Sequence, residues 1–389
     1  MLAGMTPSPA PNRALARCCR RFLLAFASAF ALTAAAGTVP ASAQALRPVT
    51  VATGLNQPWS LAFLPDGRLL VTERPGTMRL ISAAGSVGEP LQGLPPVAYG
   101  GQGGLLDVAL DPNFAENRRL YWSYSEPAPD GGRGNSTAVA RATLDGTRLA
   151  DVLVIFRQQP KVASGAHFGS RLVFARDGRL FVTLGDRFSR RDDAQSLDNH
   201  HGKVVRIEAD GRVPADNPFV GRAGALPQIW SYGHRNVQGA ALDPSTGALW
   251  THEHGPQGGD EVNLDEAGKN YGWPVISYGA EYGSGAKIGE GTARAGMEQP
   301  LTRWVPSIAP SGMAFLTSAR YPGWQGNLFV GALKAQVLVR LQIDGRRIVA
   351  EQRLLQDFGA RIRDVRQGPD GWLYLLTDGT DGRIVRLEM

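Results

Sequence analysis

Cysteine is scarce in this sequence and confined to its first segment. The two cysteines among the 389 residues are Cys18 and Cys19. Residues 44–389 therefore contain no thiol that could form a disulfide, act as a nucleophile or bind zinc. That stretch is long enough to bury a large hydrophobic core. We expect its stability to come from the core, from bound metal, or from both.

Excess positive charge and long apolar runs are also missing from most of the chain. The net charge is +6, and four of those charges lie in residues 1–43, which contain no acidic residue: Arg13, Arg17, Arg20 and Arg21. The remaining chain has no basic stripe of the kind that binds nucleic acid. It also has no apolar run long enough to span a membrane. Helical periodicity is nearly absent, which points to strands.

The first 43 residues have the pattern of an export signal. An apolar run from Phe22 to Ala36 follows the basic residues, and Ala41-Ser42-Ala43 is a small-x-small cleavage motif. This predicts a signal peptide over 1–43 and a periplasmic or secreted protein over 44–389, with a retained anchor as the alternative. Arg20-Arg21 leaves the twin-arginine route open beside the general secretory route.

One motif occurs six times between residue 61 and residue 376. An apolar strand, a turn that is Asp-Gly in three copies, and a second strand occur at 61–72, 108–122, 172–183, 241–250, 313–330 and 365–376. Asp-Gly between alternating apolar runs is a strong hairpin signal. Six such units predict an all-β fold, a six-bladed β-propeller with four-stranded antiparallel blades, formed by 44–389 as one domain. A β-sandwich would explain the strands but not the repeat. We expect residues 49–51 to complete the last blade beside 384–387.

Polar side chains cluster at one phase of this repeat, which in a propeller means one end of the channel. His167 precedes the third hairpin and is a candidate general base. Asp186 follows the second strand of the same hairpin, so it should lie beside His167 and orient the ring. Arg235 lies among glycines and is suited to an anion or a carbonyl. Three further cations occur at the same phase: Lys334, Arg361 and Arg363.

Two glycine-rich loops join this set. Gln102 lies in a run of four glycines, which allow close approach of the backbone to a ligand, although a plain turn would have the same composition. In the loop 252–263, His252 and His254 would suit zinc, but no third ligand is evident. Asp260-Glu261 and glycine-flanked carbonyls are better suited to calcium, and an acidic surface loop is the alternative. Together the clusters predict a pocket for a polyanionic cofactor with a substrate above it.

In these motifs the chain resembles the soluble PQQ-dependent glucose/sorbosone dehydrogenase family, and is most similar to its bacterial aldose sugar dehydrogenase branch. The motifs are GGQGG, GxHxGxRL, Leu-Gly-Asp, GHRNxQG, HEHGPQGGDE, NYGWP and RIRDV. The resemblance implies that PQQ lies on the propeller axis, that His167 takes the substrate proton and that Asp186 supports it. It further implies cofactor contacts from Gln102, Arg235, Asn236, Tyr282, Lys334, Arg361 and Arg363. It implies calcium ligation by the carbonyls of Gly255 and Pro256, and a further calcium site at Glu261 and the carbonyl of Tyr271.

The function implied by this resemblance is oxidation of aldose sugars at C1 to lactones, with electrons passing to an unidentified acceptor. Two alternatives remain open at this point. A calcium-dependent lactonase would place an acidic metal cage on the axis, where this chain is expected to have cations. A non-catalytic propeller that binds protein or glycan would not need His167, Asp186 and four cations at one end. The segments between repeats are shorter than in the large glucose dehydrogenases, which leaves substrate range and oligomeric state open.

Overall fold

The six predicted hairpins form the first two strands of six four-stranded antiparallel sheets, so the predicted β-propeller is confirmed. The structure is a computed structural model and describes residues 46–129 and 131–389. The predicted signal peptide lies outside the described residues. Within them, helix is limited to a single turn at Phe114–Asn117 and a 3-10 turn at Arg191–Gln195.

Each blade uses consecutive strands, except the sixth, which includes the first strand of the described residues. Blade 1 contains β2 Pro58–Phe63, β3 Leu69–Glu73, β4 Thr77–Ile81 and β5 Val87–Pro90. Blade 2 contains β6 Leu105–Leu110, β7 Arg119–Pro127, β8 Asn135–Asp145 and β9 Arg148–Arg157. Blade 3 contains β10 Leu172–Phe174, β11 Leu180–Thr183, β12 Lys203–Ile207 and β13 Ile229–Tyr232. Blade 4 contains β14 Val237–Leu242, β15 Leu249–Glu253, β16 Asp260–Asp265 and β17 Thr302–Trp304. Blade 5 contains β18 Pro310–Phe315, β19 Leu328–Ala332, β20 Leu338–Asp344 and β21 Arg347–Leu354. Blade 6 contains β22 Ile362–Gln367, β23 Leu373–Thr377, β24 Gly382–Glu388 and β1 Arg47–Leu55.

The first strands of the blades form the inner ring. β2 contacts β6 and β22, and the chain of neighbours continues through β10, β14 and β18 back to β22. Because each hairpin reverses direction, every first strand begins, and every second strand ends, at the same end of this ring. We call that end the upper face. The loops that carry the predicted site residues lie there.

The first and last strands of the described chain close the ring. β1 pairs with β24 in antiparallel register, with Val49 opposite Arg386 and Thr50 opposite Val385. The prediction that residues 49–51 complete the last blade is therefore confirmed. β1 is the outermost strand of blade 6, beside β24 rather than beside the axis.

The hydrophobic core is divided into layers between neighbouring blades. Leu70 and Trp122 belong to one cluster between blades 1 and 2, and both are fully buried. The layer between blades 3 and 4 is smaller, and its buried members are Phe181, Val204, Ala240 and Leu249. This arrangement follows from the sequence pattern, because each strand contributes alternate apolar side chains to the two faces of its sheet.

Below the upper face, charged side chains from different blades form ion pairs with one another. Arg171 Nη1 lies 2.9 Å from Asp364 Oδ1 and 3.3 Å from Asp107 Oδ1, while Arg366 Nη2 lies 2.7 Å from Asp107 Oδ1. We call these four residues the axial ion-pair cluster. They come from the inner strands of blades 2, 3 and 6, or from the residue next to them, so the cluster joins blades that are distant in sequence. Gly312 of β18 completes the packing, since a Cβ there would lie 2.1 Å from Asp364 Oδ1.

Candidate active site

His167 and Asp186 meet at the upper face of blade 3. The Nδ1 atom of His167 lies 2.5 Å from Oδ1 of Asp186, and both side chains are buried. The carboxylate can only accept, so Nδ1 carries the proton and Nε2 keeps its lone pair. In the described part of the chain, Nε2 has no hydrogen-bond partner of its own. The imidazole is thus arranged to accept a proton at Nε2.

Two further donors hold the Asp186 carboxylate in place. The backbone N–H of Phe188 donates to Oδ1 at 2.7 Å, and Trp273 Nε1 donates to Oδ2 at 2.7 Å. Burial alone would raise the pKa of Asp186, but the hydrogen bond with His167 and the charge of Arg235 outweigh it and hold this pKa below its usual value. Asp186 therefore remains ionised beside the ring.

Burial has the opposite consequence for the ring itself. It lowers the pKa of His167, since the charged imidazolium is poorly solvated there, and the nearby charge of Arg235 acts in the same direction. The hydrogen bond to Asp186 opposes this shift without cancelling it. His167 is therefore neutral at neutral pH, which is the protonation state that a general base requires.

The glycine run around Gln102 lies against the loop that carries His167. Gln102 Oε1 accepts the backbone N–H of His167 at 2.8 Å, and the Gln102 N–H donates to the Gly165 carbonyl at 2.7 Å. A Cβ on Gly101, whose φ is +56°, would lie 2.3 Å from that carbonyl oxygen. The glycines are thus needed for close contact between two loops, and a plain flexible turn is the wrong interpretation. His167 itself has a φ of +52°, so its backbone depends on this support.

Arg235 contacts the loop at Gly255 and lies near the ring of Tyr282. Its Nη1 donates to the Gly255 carbonyl at 2.7 Å, and its guanidinium lies 5.9 Å from the ring centre of Tyr282. Among the described residues, Arg235 Nε and Asn236 Nδ2 are buried without a hydrogen-bond partner. Buried donors of this kind are rare in native proteins, so they fit an acceptor-rich ligand such as PQQ.

The four predicted calcium-site residues surround one small cavity. Its lining includes Gly255, Pro256, Glu261 and Tyr271 together with Glu253 and Arg235, and its volume is about 20 Å³. That is enough room for one ion or water molecule. Glu253 and Glu261 are directly opposite each other on β15 and β16. Burial and the charge of Glu253 raise the pKa of Glu261 to about 8, so a hard cation would relieve the repulsion and the donor set fits calcium.

The three other predicted cations lie at the upper face of blades 5 and 6. Arg361 and Arg363 both approach Asp378 Oδ2, at 2.9 and 3.5 Å. Burial lowers the pKa of Arg363 to about 10, which leaves it charged at neutral pH. Arg361 also donates to the carbonyl of Leu333, next to the exposed Lys334. Arg363 Nε is a further buried donor without a partner in the described residues, so this side also suits an anionic ligand.

Several residues of the site were not predicted, although their positions carried a signal. Two of them are Asp378, which directly follows the second strand of blade 6, and Glu253, which ends the second strand of blade 4. This is the phase of the repeat that identified Asp186. Trp273 lies within the NYGWP motif, but its sequence does not indicate a bond to a carboxylate 87 residues away. Phe188 follows Asp186 by two residues and packs against His167, with ring centres 5.3 Å apart.

The model of the Glucose / Sorbosone dehydrogenase family matches residues 55–386. The chain belongs to this family. It is 48% identical to the Aldose sugar dehydrogenase YliI of Escherichia coli over 337 residues, covering 86% of this chain and 90% of that one. The protein is therefore an oxidoreductase of the sugar dehydrogenase type, as predicted.

Solved structures of similar proteins agree with this assignment. The soluble aldose sugar dehydrogenase from E. coli, in its apo form, superposes with a TM-score of 0.85 at 46% identity, covering 88% of this chain and 99% of that chain. The PQQ-bound form of the aldose sugar dehydrogenase from Streptomyces coelicolor superposes with a TM-score of 0.73 at 31% identity, covering 88% and 98%. None of the helices in the described part of our chain is long and apolar enough to cross a membrane.

Proposed function

We propose that the protein oxidises the C1 hydroxyl of aldose sugars to lactones, using PQQ and Ca²⁺, after export to the periplasm. The observation that carries this proposal is a neutral, carboxylate-supported His167 on the same face as Arg235, Asn236 and Arg363, each of which has a buried N–H without a partner in the described residues. The PQQ-bound relative supports the choice of cofactor.

His167 would act on the sugar at one atom. Its Nε2 accepts the proton of the C1 hydroxyl as the C1–H bond breaks, and Asp186 stabilises the imidazolium that forms. PQQ, when bound, would supply the oxidising power as the hydride acceptor, and Ca²⁺ would supply Lewis acidity. Arg235 would stabilise negative charge that develops on the reacting oxygens.

The cofactors have candidate positions on the residues described above. Gln102, Arg235, Asn236, Tyr282, Lys334, Arg361 and Arg363 would hold PQQ. Arg235, Asn236 and Arg363 offer the unpartnered donors for this. The small cavity of blade 4 has room for one ion. Glu261 and the carbonyl of Tyr271 would hold a Ca²⁺ there, and the carbonyls of Gly255 and Pro256 would ligate a second Ca²⁺ at PQQ, beyond that cavity.

Reconstitution tests the proposal against its two alternatives. Protein stripped of cofactors should be inactive with sugars and a redox dye, and should gain activity only when PQQ and Ca²⁺ are both added. A lactonase would hydrolyse lactones with Ca²⁺ alone, and a binding module would show neither activity. Full sugar oxidation after verified removal of both cofactors, or oxidation dependent on NAD, would contradict the assignment.

The location is a separate part of the proposal. The predicted cleavage near Ala43 should give a mature protein whose N-terminal sequence begins at Gln44. Expression of the full chain in a Gram-negative host, followed by osmotic shock and N-terminal sequencing, measures this directly. Retention of residues 1–43 in a membrane pellet would favour the anchor instead.

A further inference from the structure

Phe188 has a backbone conformation that is unusual for a bulky residue. Its φ is +63°, and the preceding Arg187 has a φ of +59°. Glycine adopts such angles without strain, whereas an aromatic residue adopts them rarely. An outlier of this kind beside a candidate base calls for a reason in the side chain.

The turn does not supply that reason. The backbone N–H of Phe188 donates to Asp186 Oδ1 at 2.7 Å, and glycine at this position would supply the same N–H. Packing supplies little of it, since Phe188 is 56% exposed and His167 is its one aromatic neighbour among the described residues. An exposed apolar side chain in a strained turn gains little in stability.

The position of the ring is informative. Its centre lies 5.3 Å from that of the His167 imidazole, with an angle of 78° between the two planes. His167 is buried, while Phe188 is exposed, so the phenyl ring lies on the solvent side of the candidate base. A substrate that reaches this imidazole from solvent therefore comes close to an apolar aromatic surface.

We propose that Phe188 is a substrate-positioning residue, on which the apolar C–H face of an aldopyranose ring rests while C1 lies at His167. This proposal rests on the proposed function. A pyranose has polar hydroxyls at its edge and C–H groups on its faces, so contact with an aromatic ring removes apolar surface from water on both partners. The substrate class would thus be ring-form sugars rather than open-chain alcohols.

The decisive variant is Phe188→Gly, because it removes the ring and relieves the backbone at the same time. We expect KM for aldopyranoses to rise about 3- to 10-fold, the range for loss of one aromatic contact, with a smaller effect on kcat. The melting temperature should be unchanged or higher, whereas a structural role predicts that it falls. Phe188→Tyr keeps the ring and should retain a KM close to that of the original protein.

Asp151→Gly is the matched control. Asp151 is exposed on β9, the outer strand of blade 2, and has a φ of +55°. The substitution Asp151→Gly relieves the same type of backbone strain at a position away from the upper face, so KM should not change. An unchanged KM in Phe188→Gly, or a loss confined to kcat with a shifted pH profile, would overturn the proposal, since the latter points to an effect through Asp186.

A measurement without turnover separates this proposal from the proposed function. 1,5-Anhydroglucitol has a pyranose ring but no C1 hydroxyl, so it can bind without being oxidised there. Calorimetry with the PQQ- and Ca²⁺-loaded protein should give a Kd that is about 3- to 10-fold higher for Phe188→Gly than for Phe188→Tyr. If sugars are not oxidised but this difference is present, the function is wrong and the role of Phe188 stands. If sugars are oxidised and the difference in Kd is absent, the proposed function stands and the proposed role of Phe188 is wrong.

Discussion

At the scale of single residues, the chemistry depends on the protonation state of His167. Burial and Arg235 lower its pKa, and Asp186 opposes the shift through one hydrogen bond. Replacing His167 with Gln should reduce kcat by about 10²–10⁴-fold, the usual contribution of a positioned base. PQQ binding, followed by absorbance titration, should remain close to normal because Gln is polar and similar in size. A near-normal kcat would mean that another residue is the base.

The lowered pKa of His167 sets the direction of the pH dependence of activity. The base acts when it is neutral, so activity is lost as the pH falls through the pKa of His167. Because this pKa is lowered, the acidic limb of kcat/KM should lie below the ordinary histidine value of about 6.5. A pH–rate profile with a limb clearly above that value would contradict the description of the site.

Asp186→Asn should move this limb to still lower pH and lower the plateau. Without the carboxylate the imidazolium loses its partner, so the pKa of His167 falls further and the base becomes weaker. The Asn amide would also face the Trp273 indole N–H, donor against donor, if its oxygen stays on His167. Adding Trp273→Phe to Asp186→Asn should therefore recover part of the lost stability. No change in plateau or limb would show that the pair does not act as described.

At the scale of elements, two loops hold His167 in place through glycine contacts. Gly101→Ala would place a Cβ 2.3 Å from the Gly165 carbonyl oxygen, at a φ of +56°. The loop must shift, and we expect kcat to fall by at least about 10-fold because small misplacement of a catalytic group is costly. Gly100→Ala is the control, since nothing lies within 4 Å of its added Cβ. Equal activity of both variants would argue against a role for this contact.

Removing one carboxylate of the blade 4 pair should not lower the stability of the metal-free protein. Burial opposite Glu253 raises the pKa of Glu261 to about 8, so folding at neutral pH must protonate this carboxyl. Glu261→Gln removes that cost, and the metal-free protein should be at least as stable as the original. The rise in melting temperature on adding Ca²⁺ should be reduced or lost, because metal stabilises only through the folded state. Thermal unfolding with and without Ca²⁺ measures both effects. Glu298→Gln makes the same charge change on the surface and should leave the Ca²⁺ response intact.

The sequence predicts contacts between residues that are near each other in the chain better than contacts between distant ones. Asp186 was placed beside His167 because both belong to one hairpin, 19 residues apart. The sequence analysis also expects residues 49–51 beside 384–387, and β1 pairs with β24 there. Trp273 reaches Asp186 from the next blade, across 87 residues. Contacts between blades depend on the geometry of the ring. The repeat predicts that a ring forms, but not which side chains meet across neighbouring blades.

At the scale of the whole molecule, the axial ion-pair cluster joins the blades below the site. Arg171 and Asp364 are almost fully buried and 2.9 Å apart. Arg171→Met should destabilise the protein by about 3–5 kcal/mol, because it leaves buried carboxylates with one cation fewer. Arg347→Met breaks an exposed pair with Asp344 and should change stability by no more than about 0.5 kcal/mol. Denaturant unfolding of both variants tests this, and equal effects would contradict it.

The pairing of β1 with β24 has a consequence for the order in which the molecule folds. Five blades are made from contiguous sequence, but the sixth cannot be completed until strands from opposite ends of the described chain meet. Such a long-range meeting is slow compared with hairpin formation, so ring closure should be a late kinetic step. Opening the ring would likewise begin at this seam, and the backbone amides of β1 and β24 should exchange their hydrogens together. We therefore expect β1 and β24 to pair or separate together, so that the ring closes or opens in one cooperative step.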